Sequence, residues 1–210
     1  WWVTSQKGGA GALELQRVLG LGSYITAWTW LHKFRRAMVR PGRDRLSGRV
    51  ELDETYVGGS EQGGKRGRGT ESKEIVVIAV EVHSPKGFGR VRMQRIPDVS
   101  GVSLVPFVRD VVKSDSEILT DGWGGYNDLP KDGYEHNKTV LSETGDPAHV
   151  AMPGVHRIAS LLKRWLLGTH QGAVSRAHLP YYLDEFTFRF NRRKSKARGK
   201  LFFHLVEHAL

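Results

Sequence analysis

Two aspartates could together carry metal-assisted phosphoryl chemistry if the fold sets them side by side. Asp53 lies in GRVELDETY (48–56) and Asp121 in EILTDGWGGY (117–126), 68 positions further on. Each run is rich in β-branched or aromatic residues and reads as a short strand, and Asp121 is followed at once by glycine. If the two strands are neighbours, the carboxylates meet. Such a pair holds two divalent ions roughly 3.5–4 Å apart, which activate one oxygen and stabilise another while phosphorus changes partners. Hard oxygen donors suit Mg2+ or Mn2+.

The intervening elements must supply that adjacency. Val50 and Leu52, continued by Glu54 and Tyr56, alternate with Glu51, Asp53 and Thr55, so Asp53 is expected on the polar side of its strand. GGSEQGGKRGRGT (58–70), with six Gly and three basic residues, reads as a mobile loop. EIVVIAVEVH (74–83) is a continuous β-branched run, and RVRMQRI (90–96) alternates, which gives an antiparallel meander. GVSLVPFVRDVVK (101–113) reads as a helix capped by Ser100. Three strands, a helix and a fourth strand ending in Asp is the order of a ribonuclease H-like, integrase-type fold. That is an α/β mixed sheet flanked by helices, whose first and fourth strands lie side by side.

Composition narrows the class. With 39% hydrophobic and 26% charged residues and six Trp, the chain of 210 residues is globular rather than disordered. No cysteine is present, so a disulfide scaffold, a thiolate zinc site and a cysteine nucleophile are excluded within it. No apolar run approaches the roughly 18 residues of a membrane span. The net charge of +10 is unevenly placed: +7 in 1–50, −5 in 51–150 and +8 in 151–210. Basic ends around an acidic middle suit a polyanion held near carboxylates. A first residue of Trp, with the first Met at 38, reads as a fragment or a processed chain.

Leu13, Leu15, Val18 and Leu19 predict a helix ending at Gly20 or Gly22. Ser23 then caps a second helix with Ala27, Trp30, Leu31 and Phe34 on its apolar face. This is a helix-turn-helix pattern, and Lys33, Arg35, Arg36 and Arg40 are its candidate DNA contacts. Residues 1–47 are therefore expected to form the DNA-binding segment and linker, and 48–210 the catalytic domain. Near the other end, LPYYLDEFTFRFNRRKSKARGK predicts an amphipathic helix with Tyr182, Leu183, Phe186 and Phe190 buried, followed by a basic tail. Arg189, Arg192, Arg193, Lys194, Lys196, Arg198 and Lys200 there, with Lys163 and Arg164 upstream, are candidate contacts to the DNA backbone.

LDETYVGG, TDGWGGY, SLLKRWLLGTHQ and YLDEFTFRFNRR resemble, in this order, the blocks of bacterial insertion-sequence transposases with an integrase-type acidic site, of the branch related to eukaryotic Merlin elements. The resemblance runs from the helix-turn-helix segment to about residue 204. It implies that Asp53 and Asp121 are the first two metal-binding acids. The third acid of relatives sits in a helix reading V-E-x-x-x-S-L-L-K-R, and here His156 stands in its place. His156 is taken as the third metal and catalytic position, since an imidazole ligates Mn2+ more readily than Mg2+ and also shuttles protons. Lys163, two helical turns on, faces the same side and joins the catalytic set.

The resemblance also implies DNA as partner, both element ends and target, and at least a homodimer on it. It implies action in the bacterial cytoplasm at the nucleoid, and a cysteine zinc ribbon ahead of Trp1 in relatives. Glu143, and less so Glu185, are substitute carboxylates. His149, His170 and His178 have no ligand spacing. Two rivals stay open: a catalytically inactive DNA-binding derivative, which His156 in place of an acid favours, and a nuclease that cuts without joining.

Overall fold

The computed structural model describes residues 1–6, 8–40, 42–58, 73–83, 87–139, 151–172 and 174–208. Its helices are α1 (Trp2–Ser5), α2 (Ala12–Leu19), α3 (Tyr24–Ala37), α4 (Gly101–Val111), α5 (Pro153–His170), α6 (Leu179–Asn191) and α7 (Arg198–Glu207). Its strands are β1 (Arg49–Val57), β2 (Glu74–Val82), β3 (Phe88–Ile96), β4 (Glu117–Thr120) and β5 (Glu135–Lys138). The chain divides into a sheet unit, Asp44–Lys163, and a helical unit made of Trp1–Arg43 with Arg164–Leu210. Two consecutive domains split at 47/48 were expected. Instead the helices after Lys163 share a core with the first helices, through Phe188, Leu201 and Leu205 packing with Val3, Leu15 and Leu31.

In the sheet unit the strand order is β3-β2-β1-β4-β5. β1, β2 and β3 form the antiparallel meander, while β1–β4 and β4–β5 are parallel. This mixed α/β architecture is compatible with the expected fold, and β1 and β4 are adjacent as it requires. β5 was not foreseen, because its sequence EHNK carries no strand pattern. Val76 to Val80 of β2 are all fully buried, which is why that run reads as continuously apolar rather than alternating. On one face Val50, Leu52, Val77, Ala79 and Ile118 pack with Leu104, Val108 and Val111 of α4. The other face of β1 is not the solvent side that alternation suggested: Glu51 and Thr55 are 3% and 7% exposed. Glu51 accepts the Val155 amide of α5 at 2.8 Å, so the polar side of this strand faces a helix.

In the helical unit α2 stops as predicted, at Gly20, whose φ of +62° is the left-handed conformation that glycine adopts without steric cost. Ser23 and Ser100 occupy the N-cap positions of α3 and α4 without making a side-chain cap bond. The face of α3 differs from the expected one. Ala27 and Leu31 are buried, but Trp30 is 40% exposed and the stripe continues through Arg35. In α6, Tyr182, Leu183 and Phe186 are buried as predicted, and Phe188 with them. The expected basic tail is partly the helix α7, which buries Leu201 and Leu205 one turn apart.

Arg35 turns inward because a carboxylate waits there. Its Nε donates to Glu185 Oε2 at 2.8 Å, with the two side chains 2% and 1% exposed. Arg189 donates to the other oxygen at 2.8 Å and to the carbonyls of Gln6 and Val3. Burial works to raise the Glu185 pKa, but Arg189 and Arg35 outweigh it and hold the acid below its ordinary value. Nearby, His32 stacks among Trp28, His178, Tyr181 and Tyr182. Both of its ring nitrogens are buried without a hydrogen-bond partner among the described residues. Burial, reinforced by Arg35, lowers the pKa of His32 to about 4, and His170 is lowered to about 4 in the same way.

Glu185→Ala leaves two guanidinium groups without their carboxylate, so its urea midpoint is expected to fall by the equivalent of about 3–5 kcal/mol. An unchanged midpoint would show the ion pair to be dispensable. The buried histidines set the acid limit of the helical unit. Unfolded histidine protonates near 6.5, whereas the folded groups resist protonation until about pH 4, so stability present above 6.5 drains away between those values. Thermal melts of His32→Phe at pH 7 and pH 4.5 are therefore expected to differ less than those of the parent.

Candidate active site

The parallel register pairs Arg49 with Glu117, Val50 with Ile118 and Glu51 with Leu119. Carried two residues further, it sets Asp53 level with Asp121, which follows the last residue of β4. The first and fourth strands are therefore adjacent as expected, with Asp53 midway along β1 and Asp121 just past the carboxyl end of β4. Asp53 lies on the α5 face of β1, alternating with Leu52 in the core beneath α4.

The turn after β4 holds Asp121 in place. Its Oδ1 accepts the Trp123 amide at 3.0 Å, and Gly122 between them takes a φ of +84°. The Thr120 hydroxyl accepts the Gly122 amide at 3.3 Å and lies 2.9 Å from His136 Nε2 on β5. Trp123 Nε1 donates to the Val99 carbonyl at 2.7 Å. Gly125 must remain glycine, since a Cβ there would lie 2.6 Å from that same carbonyl oxygen. Tyr126, fully buried, donates its hydroxyl to Glu54. Burial first, then the charges of Glu54, Asp53 and Asp121, raise its pKa well above the ordinary tyrosine value. The phenol thus senses both aspartates and stays protonated.

Helix α5 contributes the next two candidates. His156 Nε2 stands 3.9 Å from Asp53 Oδ2, an ionic contact when the imidazole is protonated. Val155, Ile158 and Leu162 form the buried stripe of this part of α5, leaving His156 half-buried and Lys163 exposed. Lys163 still has a lowered pKa, from desolvation and then Lys73, partly offset by Asp53, so its ammonium lies within the electrostatic reach of that acid. The donor chemistry of Asp53 and Asp121 fits a hard divalent cation. Among the described residues, however, no three His, Asp or Glu side chains are grouped so as to hold an ion. Of the substitute acids, Glu143 lies outside the described residues, as does His149. Glu185 is occupied by Arg35 and Arg189 in the helical unit.

The candidate DNA contacts all belong to the helical unit except Lys163. Lys33, Arg36, Arg40, Arg164, Arg193 and Lys194 are exposed, and Arg192 is half-buried with its guanidinium 4.1 Å over Phe188. Arg35 is corrected: buried against Glu185, it is not presented to a phosphate. Arg189, bound to Glu185 and two carbonyls, is likewise structural. With 16 Lys/Arg against 4 Asp/Glu the helical unit carries +12, and with 16 against 18 the sheet unit carries −2. Sequence reading missed Glu51, Tyr126 and His136. Glu51 and His136 are polar residues on strands, whose partners only the fold reveals. Tyr126 was read as part of a strand.

The ISXO2-like transposase domain family matches residues 45–191. An uncharacterized protein in transposable element ISH50 of Halobacterium salinarum is 30% identical over 183 residues, 80% of this chain and 60% of that protein. An uncharacterized transposase-like protein of Haemophilus influenzae is 27% identical over 115 residues, 55% of this chain and 92% of its own length. The chain thus spans 60% of the length of the ISH50 protein.

Two carboxylates at one level of a sheet repel until a cation intervenes. Asp53→Asn and Asp121→Asn are each expected to raise the metal-free melting temperature by a few degrees, equivalent to about 1 kcal/mol. Millimolar MnCl2 should raise the parent's melting temperature and leave both variants unmoved. Equal responses in all three would remove the pair as a cation site.

Proposed function

The chain belongs to the ISXO2-like transposase family, and from that premise we propose that it is a DNA transposase that cuts insertion-sequence ends and joins them to target DNA. The observation that supports this reading is the level pair Asp53 and Asp121 inside the matched region. On this reading the sheet unit is a ribonuclease H-like catalytic domain, and α2–α3 act as a helix-turn-helix. The blocks LDETYVGG, TDGWGGY, SLLKRWLLGTHQ and YLDEFTFRFNRR, taken together, support a reading within the branch related to Merlin elements.

Asp53, Asp121 and His156 would hold Mg2+ or Mn2+. Bound ions supply Lewis-acid activation of the attacking oxygen and charge neutralisation at phosphorus. Water attacks the phosphorus at the element's end, the P–O3′ bond breaks and a 3′-hydroxyl is released. That hydroxyl then attacks a target phosphodiester, whose own 3′-oxygen leaves, so one P–O bond forms for each one broken. When its imidazole is not bound to metal, His156 beside Asp53 would accept the proton of the attacking group. Lys163 carries its positive charge close to Asp53 and offsets charge on the phosphate oxygens. Lys33, Arg36, Arg40, Arg164, Arg192, Arg193 and Lys194 bind the DNA backbone, with a salt-dependent affinity. Pairing two element ends calls for at least a homodimer on DNA, acting at the bacterial nucleoid in the cytoplasm.

One observation favours a second reading, an inactive DNA-binding derivative: position 156 is His, and no third acid joins the pair among the described residues. A single assay separates them. The protein is incubated with Mn2+, a labelled duplex carrying insertion-sequence end DNA, and a target plasmid. Joined product is expected, falling roughly a hundredfold or more in Asp53→Ala and Asp121→Ala. Cut but unjoined product would indicate a nuclease, and bound, intact DNA would indicate the inactive derivative. A His156→Glu variant faster than the parent would mark the histidine as a defect.

A further inference from the structure

We propose that Glu51 is a positioning residue: from strand β1 it caps the first turn of α5 and thereby holds His156 beside Asp53. The first amides of a helix have no partner within the helix and are normally met by a side chain just ahead of it. At α5 the residue preceding Pro153 is Met152, whose thioether is a weak acceptor. A carboxylate from another element takes that role. Glu51 Oε2 accepts the Val155 amide at 2.8 Å, and the Gly154 amide also hydrogen-bonds to this acid. The bond is buried, with Glu51 only 3% exposed, and a negative group at a helix start is favoured by the helix dipole.

A second, independent observation shows how closely the two elements are fitted. A Cβ on Gly154 would stand 2.8 Å from Glu51 Oε2 and 3.2 Å from its Cδ, and 3.2 Å from Phe88. Only glycine lets the helix start come this near to the carboxylate. The latch therefore ties residues 154–155 to a point two residues before Asp53 on the same strand face. His156 is the next residue of the helix, near enough to Glu51 for its charge to favour the ionised acid. With the strand and the first turn both fixed, the 3.9 Å spacing of His156 from Asp53 follows from the latch rather than from any long side chain reaching across. Pro153 presets the backbone at the first helical position and donates no amide that would need capping.

The catalytic consequence rests on the transposase reading above, whereas the positioning itself does not, and the test keeps the two apart. The full chain is compared with Glu51→Gln, Glu51→Met and Gly154→Ala. Glu51→Gln keeps an acceptor oxygen, Glu51→Met keeps the volume without one, and Gly154→Ala keeps the acid but pushes it away. The first readout is the imidazole NMR signal of His156, assigned with His156→Gln, before and after Asp53→Asn is added to each background. A shift on adding Asp53→Asn is expected in the parent and in Glu51→Gln. It is expected to vanish in Glu51→Met and Gly154→Ala, while their melting temperatures show that both fold.

The second readout is element-end cleavage. A loss of about tenfold or more in rate, at unchanged DNA affinity, is expected in Glu51→Met and Gly154→Ala, with most of the rate restored in Glu51→Gln. If Glu51→Met keeps both the coupling and the rate, the proposal is overturned. If no variant and no parent cuts DNA, the transposase reading fails, and the NMR coupling alone decides the latch. Should Glu51→Met not fold, Gly154→Ala carries the same comparison, and coupling retained there overturns the proposal.

Discussion

The parallel pairing of β1 with β4 is the constraint on which the rest of the structure depends. Two parallel neighbours cannot be joined by a tight turn, so the chain must leave the edge of β1 and return from the other end. Here the excursion is β2, β3 and α4, and the fully buried Val76–Val80 run of β2 supplies the apolar mass that holds β1 in the sheet interior. Nothing local to DETY or TDGW brings the two aspartates together. The register does, by placing Glu51 against Leu119 and so Asp53 level with Asp121. Tyr126 lies near both acids, its hydroxyl held protonated by burial first and then by the charges of Glu54, Asp53 and Asp121.

Charge is divided between the units in the sense this requires. The sheet unit carries a net −2 and the helical unit a net +12. Two of the helical unit's cations serve the fold. Arg35 and Arg189 close on Glu185 in a buried triad that also binds the carbonyls of Val3 and Gln6. Burying three charged groups is tolerable only when every one is paired. The arginines are thereby removed from the surface available to a polyanion. What remains outside is the exposed set on α3 and after α6, where a long-range attraction needs no fixed partners.

Particular residues show what was legible in the sequence and what was not. Strand and helix positions from Arg49 to Thr120 were readable because each run has its own period: continuous in β2, alternating in β3 and helical in α4. Asp53 and Asp121 were legible as candidates because acids at strand ends are chemically conspicuous. Arg35 was misread because a basic residue at the end of a helix looks alike whether it faces water or a carboxylate 150 positions away. Glu51 was read as the polar edge of a strand, since its partner amides belong to a helix 104 positions on. β5 lacks any apolar pattern and exists because β4 offers an open edge. Long-range partners are not encoded in local period, and these residues differ from their readings only through such partners.

The histidine at 156 gains a physical context from this arrangement. Glu51 and Asp53 share one face of β1, and by register Asp121 lies level with Asp53. A carboxylate at 156 would add a further negative charge next to Asp53 and near the buried Glu51, whose pKa burial already raises. An imidazole there adds no negative charge when neutral and attracts both acids when protonated. A histidine there therefore adds less negative charge beside Asp53 than an acid would. Within the proposed chemistry, a site with two acids and an imidazole has a metal preference shifted toward Mn2+ and a proton acceptor already beside the first acid. An acid at 156 would reverse both properties together, because both follow from the charge and the donor atom of that one side chain.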